Sequence, residues 1–151
     1  MLRFALFLPL LASLSWAADD KKPDFTGNWE LNVAKSRFGN MPKPTRMTLK
    51  SEQKGEVLHA SQTTYDQQGS RTVEGDWFLD GKEHPVAEFG GGKSVTKWSG
   101  STLFNEKKSN DGQYLQTGRL SLSRDGKIAT EKIHTKNPNG TNDSTLVWDK
   151  K

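Results

Sequence analysis

Asp24-Phe25-Thr26-Gly27-Asn28-Trp29 stands between an apolar leader and a chain that reads as strand and turn to its end. Gly27-Asn28-Trp29 opens the first strand of that series. No catalytic motif among the 151 residues approaches this stretch in clarity, so the architecture is more legible than any chemistry.

Upstream of it, Met1 to Ala17 carries Arg3, an uncharged run from Phe4 to Leu14, and Ser15-Trp16-Ala17 with small residues where a signal peptidase cuts. The run is shorter than the ~20 residues a spanning helix requires. Asp19, Asp20, Lys21 and Lys22 follow directly. Residues 1–17 are therefore expected to be a signal peptide cleaved near Ala17, residues 18–24 a flexible N-terminal segment, and residues 25–151 one domain of an exported protein, periplasmic or secreted. No stable membrane insertion is expected. The chain has no cysteine, so neither a disulfide framework nor a lipid-modified cysteine is available.

Apolar residues make up 32% of the full chain, and removing the leader lowers this to about 26%. A folded domain this polar has a thin core and a partly polar, hydrated interior, or else much of it is disordered. The regular patterning favours the first. Net charge is +4 with the leader, and the basic residues run no longer than the pairs Lys21-Lys22, Lys107-Lys108 and Lys150-Lys151. That is too little and too scattered for a nucleic-acid surface.

Turn signals recur at Lys54-Gly55, Gln68-Gly69, Asp80-Gly81, Ser99-Gly100, Asp111-Gly112, Asp125-Gly126 and Asn139-Gly140. Glycine accepts the positive φ of tight hairpins, and a preceding Asp or Asn suits the same geometry. The spacing predicts strands over 26–32, 45–53, 56–66, 70–79, 83–89, 93–99, 101–109, 113–123, 127–135 and 143–149. An all-β fold follows: an antiparallel up-and-down meander of eight to ten strands, a sandwich or barrel. The one helical signal is a short turn near 33–38, capped by Asn32 and ended by Gly39, Pro42 and Pro44.

Along the strands, Met47 and Leu49 share a face with Ser51 and Gln53, and Leu58 and Ala60 share one with Gln62 and Thr64. Val73, Gly75, Trp77 and Leu79 form the cleanest stripe. Faces that begin apolar and finish polar match a barrel with a greasy closed end and a hydrophilic mouth. Solvated strand ends beyond a small core give the same pattern, so both interiors stay open at this point.

The run from Asp24 through Trp29 to Glu30-Leu31-Asn32-Val33-Ala34-Lys35-Ser36-Arg37-Phe38-Gly39 resembles the N-terminal signature of small exported bacterial lipocalin-like (calycin-type) proteins. Leu79-Asp80-Gly81-Lys82-Glu83-His84-Pro85-Val86, Thr117-Gly118-Arg119 with Asp125-Gly126-Lys127, and Thr145-Leu146-Val147-Trp148 are similar to the same group. The resemblance implies a lipocalin-like barrel whose floor Trp29 plugs, with Phe25 beside it and Gly27 where the entering segment crosses. It also implies a basic side chain from a late strand over Trp29, and Arg119 is the expected one. The Thr-Asp-Tyr triplet of the larger lipocalins is absent.

Trp77, Trp98 and Trp148, on separate strands, are the candidate ligand-binding residues, with Tyr65 and Tyr114 as polar handles; ordinary core packing is the alternative role for the tryptophans. His59, His84 and His134 lack metal-ligand spacing, so no metal and no cofactor is expected. Glu74 and Asp76 fall on the face opposite Val73, Gly75 and Trp77, toward solvent. Glu131, between Ala129 and Ile133, is the one carboxylate placed to point inward, where desolvation would raise its pKa. Gly90-Gly91-Gly92-Lys93 lacks the frame of a phosphate loop and reads as a flexible connection. The sequons Asn139-Gly140-Thr141 and Asn142-Asp143-Ser144 are accounted for as final-loop composition.

These residues predict a barrel that binds or carries a small hydrophobic or amphipathic molecule. The alternatives are a structural or interaction protein of the cell envelope with a filled barrel, and a cofactor-independent barrel enzyme such as an isomerase or cyclase.

Overall fold

The computed structural model describes residues 21–151; the expected signal peptide, 1–17, lies outside them. Ten antiparallel strands follow one another: β1 Gly27–Leu31, β2 Arg46–Lys54, β3 Val57–Asp66, β4 Gly69–Phe78 and β5 Glu83–Val86 in the first half. β6 Gly92–Ser99, β7 Thr102–Ser109, β8 Leu115–Leu122, β9 Ile128–Asn137 and β10 Gly140–Lys150 complete the set. Their order is β4-β3-β2-β1-β10-β9-β8-β7-β6-β5 in a single sheet. Every neighbour pair except β1 with β10 is consecutive in sequence, which is the meander the turn spacing predicts. Pairing of the first strand with the last curls the sheet into a nearly closed barrel, with one seam between the unpaired edges of β4 and β5.

All seven glycines of the turn signals adopt positive φ, from 58° at Gly55 to 133° at Gly69, the region that L side chains avoid. The strands accordingly begin and end close to their predicted limits, with two local differences. The segment expected to hold a helical turn, 33–38, contains one hydrogen-bonded turn and no helix: Asn32 O accepts from Lys35 N (3.2 Å) and Ser36 N (3.0 Å). Asn32 Oδ1 caps Lys35 N at 3.1 Å. The turn stops there because Arg37 pairs with Thr145 of β10, and Ser36 Oγ accepts from Val147 N at 3.0 Å. Asn142, expected in the final loop, lies on β10 and clamps the same connection, its Oδ1 accepting from Asn40 N (2.7 Å) and its Nδ2 donating to Phe38 O (3.3 Å). The long β1–β2 connection is thus stapled to β10 rather than folded on itself.

Register fixes which residues face inward, because directly paired residues on neighbouring strands project to the same side. Trp29 pairs with Leu49 on β2 and Lys150 on β10, and Leu49 pairs in turn with Gln62 and Gln62 with Val73. Leu31 pairs with Trp148, which pairs with Ala129 and onward with Leu122. These residues line the interior, and the alternation predicted for Met47 to Gln53, Leu58 to Thr64 and Val73 to Trp77 is the inner face of β2, β3 and β4.

Two small apolar clusters hold the barrel. One joins Trp29, Leu31, Ala129, Leu146 and Trp148 around β1, β10 and β9; the other joins Phe25, Leu58, Leu79 and Leu103 with Trp77 and Trp98 against them. Trp29 is 2% exposed, and its indole N–H donates to Phe25 O (3.1 Å) and Ser51 Oγ (3.0 Å), while Ser51 Oγ donates to Phe25 O (2.5 Å). The ring therefore welds the entering segment to β2. Phe25 stacks on Trp98 with ring centroids 6.3 Å apart, and a Cβ on Gly27 would come within 2.6 Å of the Lys150 stem.

That stem belongs to the side chain that covers Trp29. Lys150 Nζ lies 5.2 Å from the Trp29 ring centroid, whereas the expected Arg119 lies over Phe104 at 5.4 Å. The correction follows from register. Lys150 is the direct β10 partner of Trp29, while Arg119 neighbours inward-facing Leu120 and pairs with Phe104 on the outer face.

Replacing Trp29 with Ala removes the ring, its two hydrogen bonds and the lysine stack together. Such core truncations cost about 3–5 kcal/mol. Urea denaturation followed by circular dichroism should show Trp29→Ala largely or wholly unfolded, whereas Arg119→Ala should stay within about 0.5 kcal/mol of the parent as an ordinary surface change.

Candidate functional site

Small side chains leave the barrel hollow. Ser51, Ala60 and Gly75 pair across β2, β3 and β4 as one inward-facing row, and a Cβ added to Gly75 would meet nothing within 4 Å. The Trp29 and Trp148 rings continue the inner wall beyond Ser51, on β1 and β10. This wall encloses a cavity of about 590 Å³, within the range of small-molecule sites. Leu49, Leu120 and Ala129 add apolar wall, and Gln62, Lys107, Glu88 and Glu131 add polar groups. Beside it, Asn105 on β7 is buried and self-contained, its Nδ2 donating to Thr96 Oγ1 (2.8 Å), Ser94 Oγ (2.9 Å) and Val95 O (3.3 Å). The low apolar content read from the sequence is therefore explained by two compact clusters, internal polar networks and a void.

The cavity opens along the seam. β4 is exposed over most of its length, with Val73 48% exposed although it faces the cavity. Glu74 also reaches this edge, but its carboxylate accepts from Ser61 Oγ at 2.9 Å on the outer surface, as its strand parity predicts; His59 and Asp76 likewise pair outside, at 2.7 Å. Lys107 bridges the seam from β7. Its ammonium binds Glu88, in the 3₁₀ turn Glu88–Gly90, at 2.8 Å and lies 6.0 Å from the Trp77 ring centroid. The Lys107 side chain is only 14% exposed.

Glu131 sits on β9 between its register partners Leu120 and Leu146, and its exposed surface faces the cavity. Burial away from water raises its pKa, while attraction to Lys107 and a hydrogen bond from the Trp148 indole oppose the rise. Among the described residues no lysine or arginine forms an ion pair with it.

Of the candidate ligand residues, Trp77 and Trp148 line the cavity. Trp98 does not: it packs in the floor cluster against Phe25, with Lys22 Nζ 5.7 Å from its ring centroid. Tyr65 stands beneath Arg46 on the outer face, 5.4 Å from its guanidinium, because its inward-facing neighbour is Thr64. Tyr114 precedes β8 and donates to Gln116 Oε1 at 3.1 Å, outside the cavity wall. Lys107 and Glu88 were not singled out from the sequence, whereas Ser51 and Gln62 are the polar continuations of the strand faces read there. Inner-face parity on β7 alone would have raised Lys107, since Leu103 and Asn105 precede it at steps of two.

Among the described residues no group of three or more His, Asp or Glu side chains is placed to hold a metal ion. His84 pairs with Asp80 (2.9 Å) and stacks on Phe78, and His134 pairs with Asp143 (2.7 Å).

Ten antiparallel strands, a tryptophan floor and a central cavity define a lipocalin-like, calycin-type barrel. Among solved structures this chain is similar to zebrafish ileal bile-acid-binding protein complexed with cholic acid: 18% identity, 84% of this chain and 98% of that one covered, TM-score 0.59. It is also similar to fatty-acid-binding protein 1 of Echinococcus granulosus (13% identity, 83% and 96% covered, TM-score 0.61). A secretory abundant heat soluble protein of Ramazzottius varieornatus gives 13% identity, 86% and 98% covered, and a TM-score of 0.62. At these identities the likeness is one of fold. No family model and no curated protein matches the sequence.

A carboxyl whose pKa is raised by folding holds its proton more tightly in the native state, so its burial costs stability as pH rises from the ordinary carboxylate range through the raised value. Glu131→Gln removes that cost. Thermal midpoints measured across pH should show the variant more stable than the parent at neutral and alkaline pH, with the gap closing as pH falls below the ordinary carboxylate range.

Proposed function

We propose that this protein binds a small hydrophobic or amphipathic molecule inside the barrel. The observation that carries the reading is the cavity of about 590 Å³, walled by Trp29, Trp77, Trp148, Leu49 and Leu120 and provided with a few convergent polar groups. A structural envelope protein acting only through its loops would have no use for such a void, which lowers stability by leaving side chains without packing partners. The structural neighbours include proteins described as bile-acid-binding and fatty-acid-binding, which agrees with this use of the fold. Glu131, an inward acid inclined to hold its proton, is the specific feature that favours the enzymatic alternative. Chemical change in a bound molecule that is lost in Glu131→Gln would establish that second reading.

Export belongs to the same proposal. The charge, apolar run and small residues of Met1 to Ala17 support it, and mass spectrometry of the protein from its native host should find a chain beginning at Ala18.

Three tryptophans on the cavity wall make binding visible. Titration with a panel of fatty acids, bile acids, aromatic metabolites and porphyrins should quench or shift tryptophan emission for at least one class, with saturation at one equivalent. Ala60→Trp, which places a large ring in the row of small side chains, should abolish that saturable change while the far-ultraviolet circular dichroism keeps its β signature. A flat response across the panel would count heavily against a carrier.

A further inference from the structure

The charged groups inside the barrel are not equivalent, and their arrangement bears on the ligand's own charge. Two cations touch the cavity. The Lys107 ammonium is committed to Glu88 at 2.8 Å and to the face of Trp77, and Arg71 is exposed on the β4 edge at the seam. Set against them are three carboxyls, Glu74, Glu88 and Glu131, of which Glu74 accepts from Ser61 Oγ on the outer surface of the edge. Lys107 neutralises Glu88. Glu131 lies on β9 between Leu120 and Leu146; it feels the Lys107 charge but has no ion pair among the described residues.

Its neighbours suit a cation as well. Trp148 supplies it one hydrogen bond, and the rings of Trp148 and Trp29 line the same cavity with faces that attract positive charge, that of Trp29 already carrying Lys150. A carboxyl that borders the cavity with one hydrogen bond has acceptor capacity left over, and a donor carried in by a ligand would use it.

Resting on the reading of the cavity as a small-molecule site, we propose that its ligand is a hydrophobic amine, with the protonated nitrogen at Glu131 and the apolar body among Trp29, Trp148 and Leu120. Binding pairs the ammonium with the Glu131 carboxylate; where Glu131 is protonated beforehand, its proton leaves to solvent. The apolar body displaces water from the row Ser51, Ala60 and Gly75. Selectivity of this kind is opposite in sign to what the whole chain would give, since a net charge of +4 attracts anions at long range. A preference for amines would therefore report the site and not the surface.

The test compares dodecylamine and dodecanoate, each below its critical micelle concentration, with dodecanol below its solubility limit, by tryptophan fluorescence and calorimetry. These three share one chain and differ only in head group. On the wild-type protein dodecylamine should bind about tenfold or more tightly than dodecanol, the worth of one hydrogen bond to a charged group, and dodecanoate more weakly than either. In Glu131→Gln the advantage of the amine over dodecanol should vanish, while saturable dodecanol binding persists and the far-ultraviolet circular dichroism keeps its β signature, which shows that the variant keeps its fold and cavity. Dodecanoate binding tighter than dodecylamine would overturn the proposal and leave the carrier reading intact. An amine advantage that survives in Glu131→Gln would overturn it too. Binding of none of the three, with no response to the wider panel, would remove the carrier reading itself and this inference with it.

Discussion

One indole N–H organises this barrel. Trp29 donates to Phe25 O and Ser51 Oγ, and that bifurcated bond ties together the entering segment, β1 and β2, beside the β1–β2 ladder and the bonds of Phe25 and Thr26 to Gln53. A tryptophan buried without a partner for its N–H would lose much of what its ring gains. Here the partner is a carbonyl that must be brought across the barrel floor, so satisfying the ring and closing the floor are one event. Lys150 then covers the ring from β10, the strand whose pairing with β1 turns the sheet on itself. Floor and closure meet at one residue.

From that closure the interior follows by parity. Once Trp29 faces inward, register carries the inward face to Leu49, Gln62 and Val73 on one side and to Trp148, Ala129 and Leu122 on the other. Large rings fall inward on β1, β10 and β4 and the smallest side chains along the row Ser51, Ala60 and Gly75, so the interior is filled at the rings and hollow along that row. Glu131 borders the hollow from β9. Its environment is a product of the same alternation that places Ala129 and Ile133 inward.

Much of this was legible in the sequence, and the reasons are local. A glycine after Asp, Asn, Ser, Lys or Gln states its own conformation, and strands between such turns can only meander, so ten strands were readable within a few residues. The inward stripe of β4 was readable because Val73, Gly75 and Trp77 contrast with Glu74 and Asp76. Contacts between strands far apart in sequence were not. Whether Arg119 or Lys150 covers Trp29 depends on which strand closes the barrel and in what register, and nothing near either residue records it. The roles of Trp77, Trp98 and Trp148 are divided in the same way: three similar rings on three strands, of which two face the cavity and one the floor. Lys107 escaped notice because a lysine on a strand is ordinarily solvated, although the parity it shares with Leu103 and Asn105 turns it inward.

A closed barrel has a fixed girth, since widening it means breaking ladder hydrogen bonds along a whole strand. This one is joined across β4 and β5 by no ladder. What spans that gap is side chains: Lys107, through an ion pair with Glu88 and a contact with the Trp77 ring, and Phe78 of β4, stacked on His84 of β5 with ring centroids 4.1 Å apart. The circumference is therefore held at the seam by side-chain contacts and not by backbone hydrogen bonds, and a change of width there breaks no ladder. A container built this way has one line along its wall where its girth is held more loosely than anywhere else.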